Sequence, residues 1–475
     1  MKVIIFGTGM LYQNFREQVK REDIVAFIDN DSKKQGKSLD GVKIYNPQCV
    51  LQLSCDKIIL MSAQFIEMKQ QLLDIGVSED KIWTWRRYES ELSRGVLKLF
   101  CYHDYKANYK KRVLVISTHL DYNGGTLAAV RAVQALQLKG YQTVLAAPSG
   151  NQEFIDEMSQ KGINIVLCTA IWHLSKTEMC WINQFDVVLV NVFQMVACAC
   201  EISQYKPVLW WIHEPSMSYC GIYERIRKEF DQYDNVLKMK QINVVAVSKI
   251  AKRNFEVYYP GIVKHTLLFG IPDEFISEMN TESIESKEKC TFAIIGNIEE
   301  RKAQKIFIQA ILKFSREEID QLEFLVIGGD YAHEYCREVK KMAEETHQIK
   351  FLGQLPREEM KTIFQKIDVV VCASMEETMS IAIVEGMMHS KLCITTDATG
   401  IADYINHGEN GFICKAGEVD SLWMAMKWIV DHKNESKSIG KNARETYEKF
   451  FTMESFGERL EGLILETEEN YSCHH

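Results

Sequence analysis

Two carboxylates, Glu377 and Glu385, stand eight positions apart in CASMEETMSIAIVEGMMHSKLCITTDATGIADYI (372–405). The apolar run IDVVVCAS ends at Ser374, a polar loop follows, and a helix is predicted from about Ser380. Eight steps along a continuous helix return to nearly the same side. With Glu377 in the loop and Glu385 one turn into the helix, both are placed to face a common cleft. Backbone N–H groups at such a helix start favour an anion, a phosphate above all. Taken alone, the pair also fits solvated carboxylates favoured by the helix dipole. A second candidate lies in MKVIIFGTGMLYQNF at the amino terminus, where an apolar run meets Gly7-Thr8-Gly9 as a dinucleotide-binding fold begins. Tyr12 occupies the third-glycine position, and Asp29 follows Gly9 by twenty residues, at the end of a predicted second strand. An acid there can hold a ribose hydroxyl. Nucleotide binding through Gly7, Gly9 and Asp29 is one reading, and the glycine turn of a small accessory domain is the other. Redox chemistry would need a Tyr-x-x-x-Lys pair placed after a full six-stranded unit, and no such unit is read before residue 110.

These residues need elements to hold them. A chain of 475 residues exceeds one compact core. Residues 1–85 alternate three predicted strands (2–6, 24–28 and 57–61) with amphipathic stretches, half of a dinucleotide fold. WTWRRYESELSRGVLKLFCYHDYKANYKKR (83–112) is basic and aromatic, and is read as a connecting segment. A second α/β unit runs from KRVLVIST (111–118) through FDVVLVN, PVLWWIHE and INVVAVS. The acidic SEMNTESIESKEK (277–289) separates it from a third unit that opens with CTFAIIGN. Two parallel-sheet domains in series place a cleft between them, at the carboxyl ends of the strands. The predicted domains are therefore 1–90 (accessory, Rossmann-like), 91–110 (basic aromatic linker), 111–276, 277–450, and a helix and tail over 451–475 that crosses back to the second unit.

Apolar content of 46% and charged content of 25% are those of a globular protein, and a net charge of −9 argues against nucleic acid as a partner. Fourteen cysteines without C-x-x-C spacing, and no signal peptide read, suggest a reducing cytoplasm. Cys198-Ala-Cys200 in an apolar run reads as core. No apolar run reaches the ~20 residues of a membrane span. The aromatic and basic linker fits either an interdomain spacer or a peripheral contact at the inner face of the membrane.

The stretch around Glu377 and Glu385 resembles the E-x7-E signature of retaining glycosyltransferases of family 4, which have the GT-B fold. Its flanks agree: a small-residue helix at Glu385-Gly-Met-Met, the buried run KLCITT, and the loop Thr399-Gly-Ile-Ala-Asp403. Gly296-Asn297-Ile-Glu-Glu-Arg301-Lys302 is similar to the family's phosphate loop, although the family often has Arg where Asn297 stands. THLDYNGGTLAAVRAVQALQLKGYQTVLAA (118–147) resembles its first loop and helix, with Gly124 and Gly125 permitting close backbone approach. WWIHEP brings His213 and Glu214 to a strand end where the family carries an active-site histidine, and Phe269 stands where Asn is common. The resemblance covers residues 111–450. The amino-terminal segment resembles small Rossmann-like domains fused to sugar-modifying transferases.

The resemblance implies transfer of a sugar with retention from a nucleotide sugar, a UDP-sugar before others, to an acceptor hydroxyl in bacterial glycan, cell-surface polysaccharide or glycoconjugate synthesis. It implies that His213, Glu377, Lys302 and Arg301 carry the reaction. Glu385, Gly296, Asn297, Thr378, Met379, Ser380, Gly124 and Gly125 would bind the donor. Glu385 would hold the ribose, Glu377 and His213 the transferred sugar, and Lys302 with Arg301 the departing diphosphate. No cofactor or metal is expected. The expected partners are the nucleotide sugar and a glycan, lipid-linked or protein acceptor, with a second copy or a partner glycosyltransferase left open. Plainer readings remain for Lys302 and Arg301 (a solvated charge pair), His213 (a satisfied core histidine) and Gly124-Gly125 (a tight turn). The rival function is a non-catalytic nucleotide-sugar-binding or scaffold subunit, which Asn297 and Phe269 motivate.

Overall fold

The computed structural model describes residues 1–100, 109–219, 226, 242–274, 289–330 and 332–474. The acidic separator thus lies almost wholly outside the described residues, as do Tyr102, Asp104, Tyr105 and Lys106 of the linker. Short runs rich in Val, Ile and Leu form the strands. Most are buried on both faces, which parallel pairing under flanking helices requires. In chain order they are β1 (Val3–Phe6), β2 (Ile24–Ile28), β3 (Ser38–Leu39), β4 (Val42–Tyr45), β5 (Lys57–Leu60), β6 (Ile82–Thr84), β7 (Lys98–Phe100), β8 (Arg112–Ile116), β9 (His119–Leu120), β10 (Gln142–Ala147) and β11 (Ser149–Gly150). There follow β12 (Ile165–Leu167), β13 (Val187–Asn191), β14 (Val208–Ile212), β15 (Asn243–Ala246), β16 (Val263–Thr266), β17 (Cys290–Ile295), β18 (Leu322–Ile327), β19 (Ile349–Gly353), β20 (Val369–Cys372), β21 (Leu392–Thr396) and β22 (Phe412–Cys414).

Three main sheets result, in the orders β3-β4-β2-β1-β5-β6, β16-β15-β14-β13-β8-β10-β12-β7 and β19-β18-β17-β20-β21-β22. The third is parallel throughout; the first two each carry one antiparallel edge strand. The fold class expected from the sequence is the one found, an α/β protein with two Rossmann-like units preceded by a third. The amino-terminal sheet, however, has six strands, not three. The runs VKIY and IWT are too short to stand out locally, and they become strands because β2 and β5 offer them open edges. Tyr12, at the third-glycine position, is accommodated. The first helix ends after six residues (Met10–Phe15), Tyr12 packs edge-on against Phe27, and its hydroxyl donates to Asp40 at 2.8 Å.

The expected linker is in part a structural element of the second sheet. β7 pairs antiparallel with β12, and just before it Arg94 donates to the buried Glu178 at 2.8 Å. The helix Trp85–Leu92 packs on the turn Thr169–Trp172, with the Arg86 guanidinium 4.3 Å from the Trp172 ring centre. The second and third units are joined twice. Residues 267–274 run alongside 447–456, where the N–H of Ile271 donates to the Phe451 carbonyl at 2.8 Å and the Tyr447 hydroxyl to the Ile271 carbonyl at 2.8 Å. Gly270 is needed at this crossing, because a Cβ there would lie 2.8 Å from Phe456. The final helix, Met453–His474, then packs on Gly124–Leu138 and reaches Asn243, whose side chain donates to Thr467 at 3.0 Å.

Candidate active site

β17 is followed by Gly296, whose φ of +144° and lack of a Cβ let the chain turn tightly. A Cβ at Gly296 would lie 3.3 Å from Lys302 Cε, so the lysine stem runs over that glycine. Lys302 Nζ is 2.6 Å from Glu377 Oε1. The other carboxylate oxygen accepts from Ser374 at 3.0 Å and from the Cys372 thiol at 3.4 Å. Burial pushes the Glu377 carboxyl up, but the Lys302 charge and its hydrogen bond, with help from Arg301, hold it below the usual carboxylate range. Glu377 is therefore an anion that fixes an ammonium at a strand end. Arg301 instead reaches Glu299 at 2.6 Å and the Glu376 carbonyl at 3.2 Å, which ties it to the same loop. Asn297 lends its carbonyl to Gln304.

The loop after β20 is held from both sides. Ser380 caps the helix Ile381–Met388, its hydroxyl accepting from the Ile383 N–H. The Gly400 N–H donates to the Glu377 carbonyl at 2.9 Å. Met379 is buried, and the Thr378 carbonyl lies against Gly400. Glu385, in the second turn of that helix, does not join the Lys302 cluster. It lines a cleft of about 680 Å³ together with Arg131 from the second unit and Glu274, Gln354, Leu355 and Arg357. Burial raises its carboxyl above the ordinary range, against the opposing pull of Arg131 and Arg357. The two glutamates, expected to face a common cleft, are thus held in separate surroundings: Glu385 lines this cleft, and Glu377 is paired with Lys302.

The second unit supplies the opposite wall. Asn123 caps the helix Gly124–Leu138, and a Cβ on Gly124 would lie 3.9 Å from Ile381, so the two capped helix starts meet across the domains. A Cβ on Gly125 would come within 3.1 Å of Val192, a β-branched residue at φ +68°. Such a conformation is strained and clusters at functional sites. His213 follows β14, packs 4.3 Å from the Trp211 ring, and has a buried Nε2 without a partner among the described residues. Among the described residues it is thus not a satisfied core histidine. Three residues on, the Ser216 N–H donates to Glu376 at 2.9 Å, and Asn254 donates to the same carboxylate at 2.6 Å. This tie joins the segment after His213 to the loop that carries Glu377.

Burial pulls the His213 imidazole down to about 3. An unfolded histidine titrates near 6.5, so between those values the unfolded chain takes a proton that the fold refuses. Stability from this residue is complete above about pH 6.5 and is lost as pH falls toward about 3. Glu214 runs the other way, since burial raises its carboxyl and the folded state keeps that proton longer. Urea unfolding of the wild type and His213→Gln at about pH 7.5 and about pH 5 separates the two, because Glu214 is common to both proteins. The wild type should lose more stability on acidification than the variant; equal losses would show that folded His213 takes up its proton freely.

Comparison with known proteins identifies the family. Residues 109–248 match the model described as glycosyl-transferase family 4, and residues 276–446 match glycosyl transferases group 1. The chain belongs to glycosyltransferase family 4. Residues 1–83 of this transferase match a third model, C2185-like, N-terminal. It is 30% identical over 107 residues to the D-rhamnosyltransferase WbpZ of Pseudomonas aeruginosa, covering 22% of this chain and 28% of WbpZ. With the putative glycosyltransferase EpsD of Bacillus subtilis it shares 27% identity over 155 residues, 32% of this chain and 39% of EpsD. The chain thus matches well under two thirds of the length of either relative. Its fold is similar to that of Anabaena HepE in complex with UDP-glucose, with a TM-score of 0.62 at 14% identity, over 75% of this chain and all of that one. The transferase has the GT-B architecture.

The amino-terminal sheet of the transferase opens on its own cavity, of about 930 Å³, at the strand ends that carry Gly7, Gly9 and Asp29. The second unit closes it with Ser149, Trp172, Gln194 and Ile226. Gly7 (φ +100°) is a packing necessity, since a Cβ would lie 2.9 Å from the Met61 carbonyl oxygen, whereas Gly9 faces open space. Asp29 is engaged already: its carboxylate accepts from the Thr8 N–H, the Thr8 hydroxyl, the Asp31 N–H and Lys34. The sequence reading also missed Arg131, Ser216, Asn254, Glu274, Ser374 and Arg357. Of these only Arg131 carried a local signal, as a lone cation amid Ala and Val within a helical run.

Proposed function

We propose that the protein transfers a sugar from a nucleotide-sugar donor, a UDP-sugar before others, to an acceptor hydroxyl with retention of anomeric configuration, in the assembly of a bacterial glycan or glycoconjugate. The observation that carries this reading is the Lys302–Glu377 pair, fixed at 2.6 Å beside the Ser380-capped helix. In the reaction the bond from the anomeric carbon to the β-phosphate oxygen breaks, and the acceptor oxygen bonds to that carbon on the same face. The acceptor proton passes to the departing phosphate. Negative charge grows on that phosphate, and a preorganised ammonium stabilises it more than the ground state. Lys302, rather than a metal ion, is read as that charge, with Arg301 completing the loop. Glu377 holds Lys302 and borders the transferred sugar, and the unpartnered Nε2 of His213 faces a sugar oxygen. Glu385 accepts from the ribose hydroxyls. Asn297, Gly296, Thr378, Met379, Ser380, Gly124 and Gly125 line the donor's path through backbone and cap contacts. That reading agrees with HepE, a neighbour in fold solved with UDP-glucose.

One observation favours the rival, a nucleotide-sugar-binding subunit without turnover: Arg301 and Lys302 both already have protein acceptors. Nucleotide release and product formation from a panel of UDP-, GDP- and TDP-sugars, with glycan and lipid-linked acceptors, separate the two. Turnover of one donor is expected, with the product anomer matching the donor's by NMR. Glu385→Ala should raise the donor KM about 10- to 100-fold, the worth of charge-assisted hydrogen bonds. Donor binding without turnover would support the rival, and an unchanged KM would remove Glu385 from the donor site.

A further inference from the structure

The cleft around Glu385 holds a cation that the proposed reaction does not use. Arg131 lies midway along Gly124–Leu138, between Val130 and Ala132, and is 4% exposed. Among the described residues its Nη1 has no hydrogen-bond partner and no carboxylate lies within ion-pair distance. The guanidinium rests over the Phe269 ring, 5.6 Å from its centre. Glu385 and Glu274 act on it only through space, and Arg357 opposes them. A buried guanidinium left so is costly, and an apolar side chain would suit this helix face better on packing grounds alone. Its place is nevertheless specific: it borders the Glu385 cleft from the other domain.

We propose that Arg131 is a donor-binding residue whose guanidinium donates to the phosphate next to the ribose of the bound nucleoside diphosphate. This rests on the reading that Glu385 holds that ribose. Lys302, in the other cluster, then takes the phosphate next to the transferred sugar, so one diphosphate spans two cations from two domains. The guanidinium's planar fork matches a phosphate better than any neutral oxygen. The partner that its Nη1 lacks among the described residues is then the ligand itself. The nucleotide, not the sugar, ties the acceptor-side domain to the donor-side one.

The test is calorimetric titration of the full chain with UDP, UMP and uridine, or with the corresponding series if GDP or TDP binds instead. Wild type, Arg131→Met, Arg131→Lys and Glu385→Ala are compared. Arg131→Met should bind the diphosphate and the monophosphate about 10- to 100-fold more weakly and the nucleoside as the wild type does. Its ligand-free melting temperature should be unchanged or higher, because an unpaired buried charge has gone. Arg131→Lys, the second variant should the first not fold, keeps the charge without the fork and should fall between. Unchanged affinity in Arg131→Met, or equal loss for the nucleoside, overturns the proposal. If Glu385→Ala weakens binding while both Arg131 variants do not, the inference fails alone. If the wild type binds no nucleoside diphosphate, the donor-site reading fails with it.

Discussion

Replacing Lys302 with alanine is expected to lower turnover about 10²- to 10³-fold, the effect of deleting one preorganised electrostatic contact at a departing oxyanion. It should also destabilise the fold. Glu377 is 9% exposed and would keep only Ser374 and Cys372 as partners. Removing one partner of a buried pair costs about 3–5 kcal/mol. With the ammonium gone, burial dominates and the Glu377 carboxyl rises above its ordinary value. The folded variant then holds a proton that its unfolded chain releases. Its deficit against the wild type should be greatest at neutral pH and shrink as pH falls into, and then below, the usual carboxylate range. The companion Lys302→Met with Glu377→Gln removes both charges, and should regain stability without regaining turnover. Steady-state kinetics and urea unfolding on the same preparations test both halves. A loss of turnover under tenfold in Lys302→Ala would remove the lysine from the reaction.

Gly400→Ala should be as damaging to turnover, although Gly400 carries no chemistry. A Cβ at this position would lie 2.0 Å from the Thr378 carbonyl oxygen and 2.7 Å from Ser248 Cβ. Backbone sits on one side and the neighbouring domain on the other, so the strain must move the 377–380 loop. Overpacking of this kind costs about 1–3 kcal/mol. A displacement of about 1 Å at a reacting group costs about a hundredfold in rate. We expect at least that loss of turnover, with nucleotide affinity reduced as the Ser380 cap shifts. Gly462→Ala is the control: nothing lies within 4 Å of that Cβ, in a helix interior, so it should be neutral or stabilising by about 0.5–1 kcal/mol. Near-wild-type kinetics in Gly400→Ala would show that the loop tolerates movement and that its geometry is not what the reaction needs.

The parts of the site legible in the sequence are those set by local chemistry. Ser380 announces a helix start because its hydroxyl accepts from an N–H three residues on, and Gly296 announces a sharp turn because only glycine takes φ +144° easily. The burial of the long apolar strands was legible for the same reason. What the sequence hid depends on partners far along the chain. β7 is three residues with no alternation to mark it, and it exists because β12 has an open edge. The tie from Ser216 and Asn254 to Glu376 spans more than a hundred residues and has no spacing rule. Glu377 and Glu385 read as a pair on one face, yet their surroundings give them different partners. Spacing along a helix places side chains and says nothing of the domain that will meet them.

The matched family segments stop at residue 83 and resume at 109, which invites cutting the chain at that gap. The strand at 98–100 argues otherwise. A fragment beginning at 109 would lack β7 and bare the edge of β12, an unpaired row of backbone groups of the kind that recruits other chains. It would also lack Arg94, leaving Glu178, 1% exposed, with Ser175 as its remaining partner and no opposite charge. A fragment cut to fold alone should therefore begin before β7, and the amino-terminal unit is joined to the second through the sheet itself.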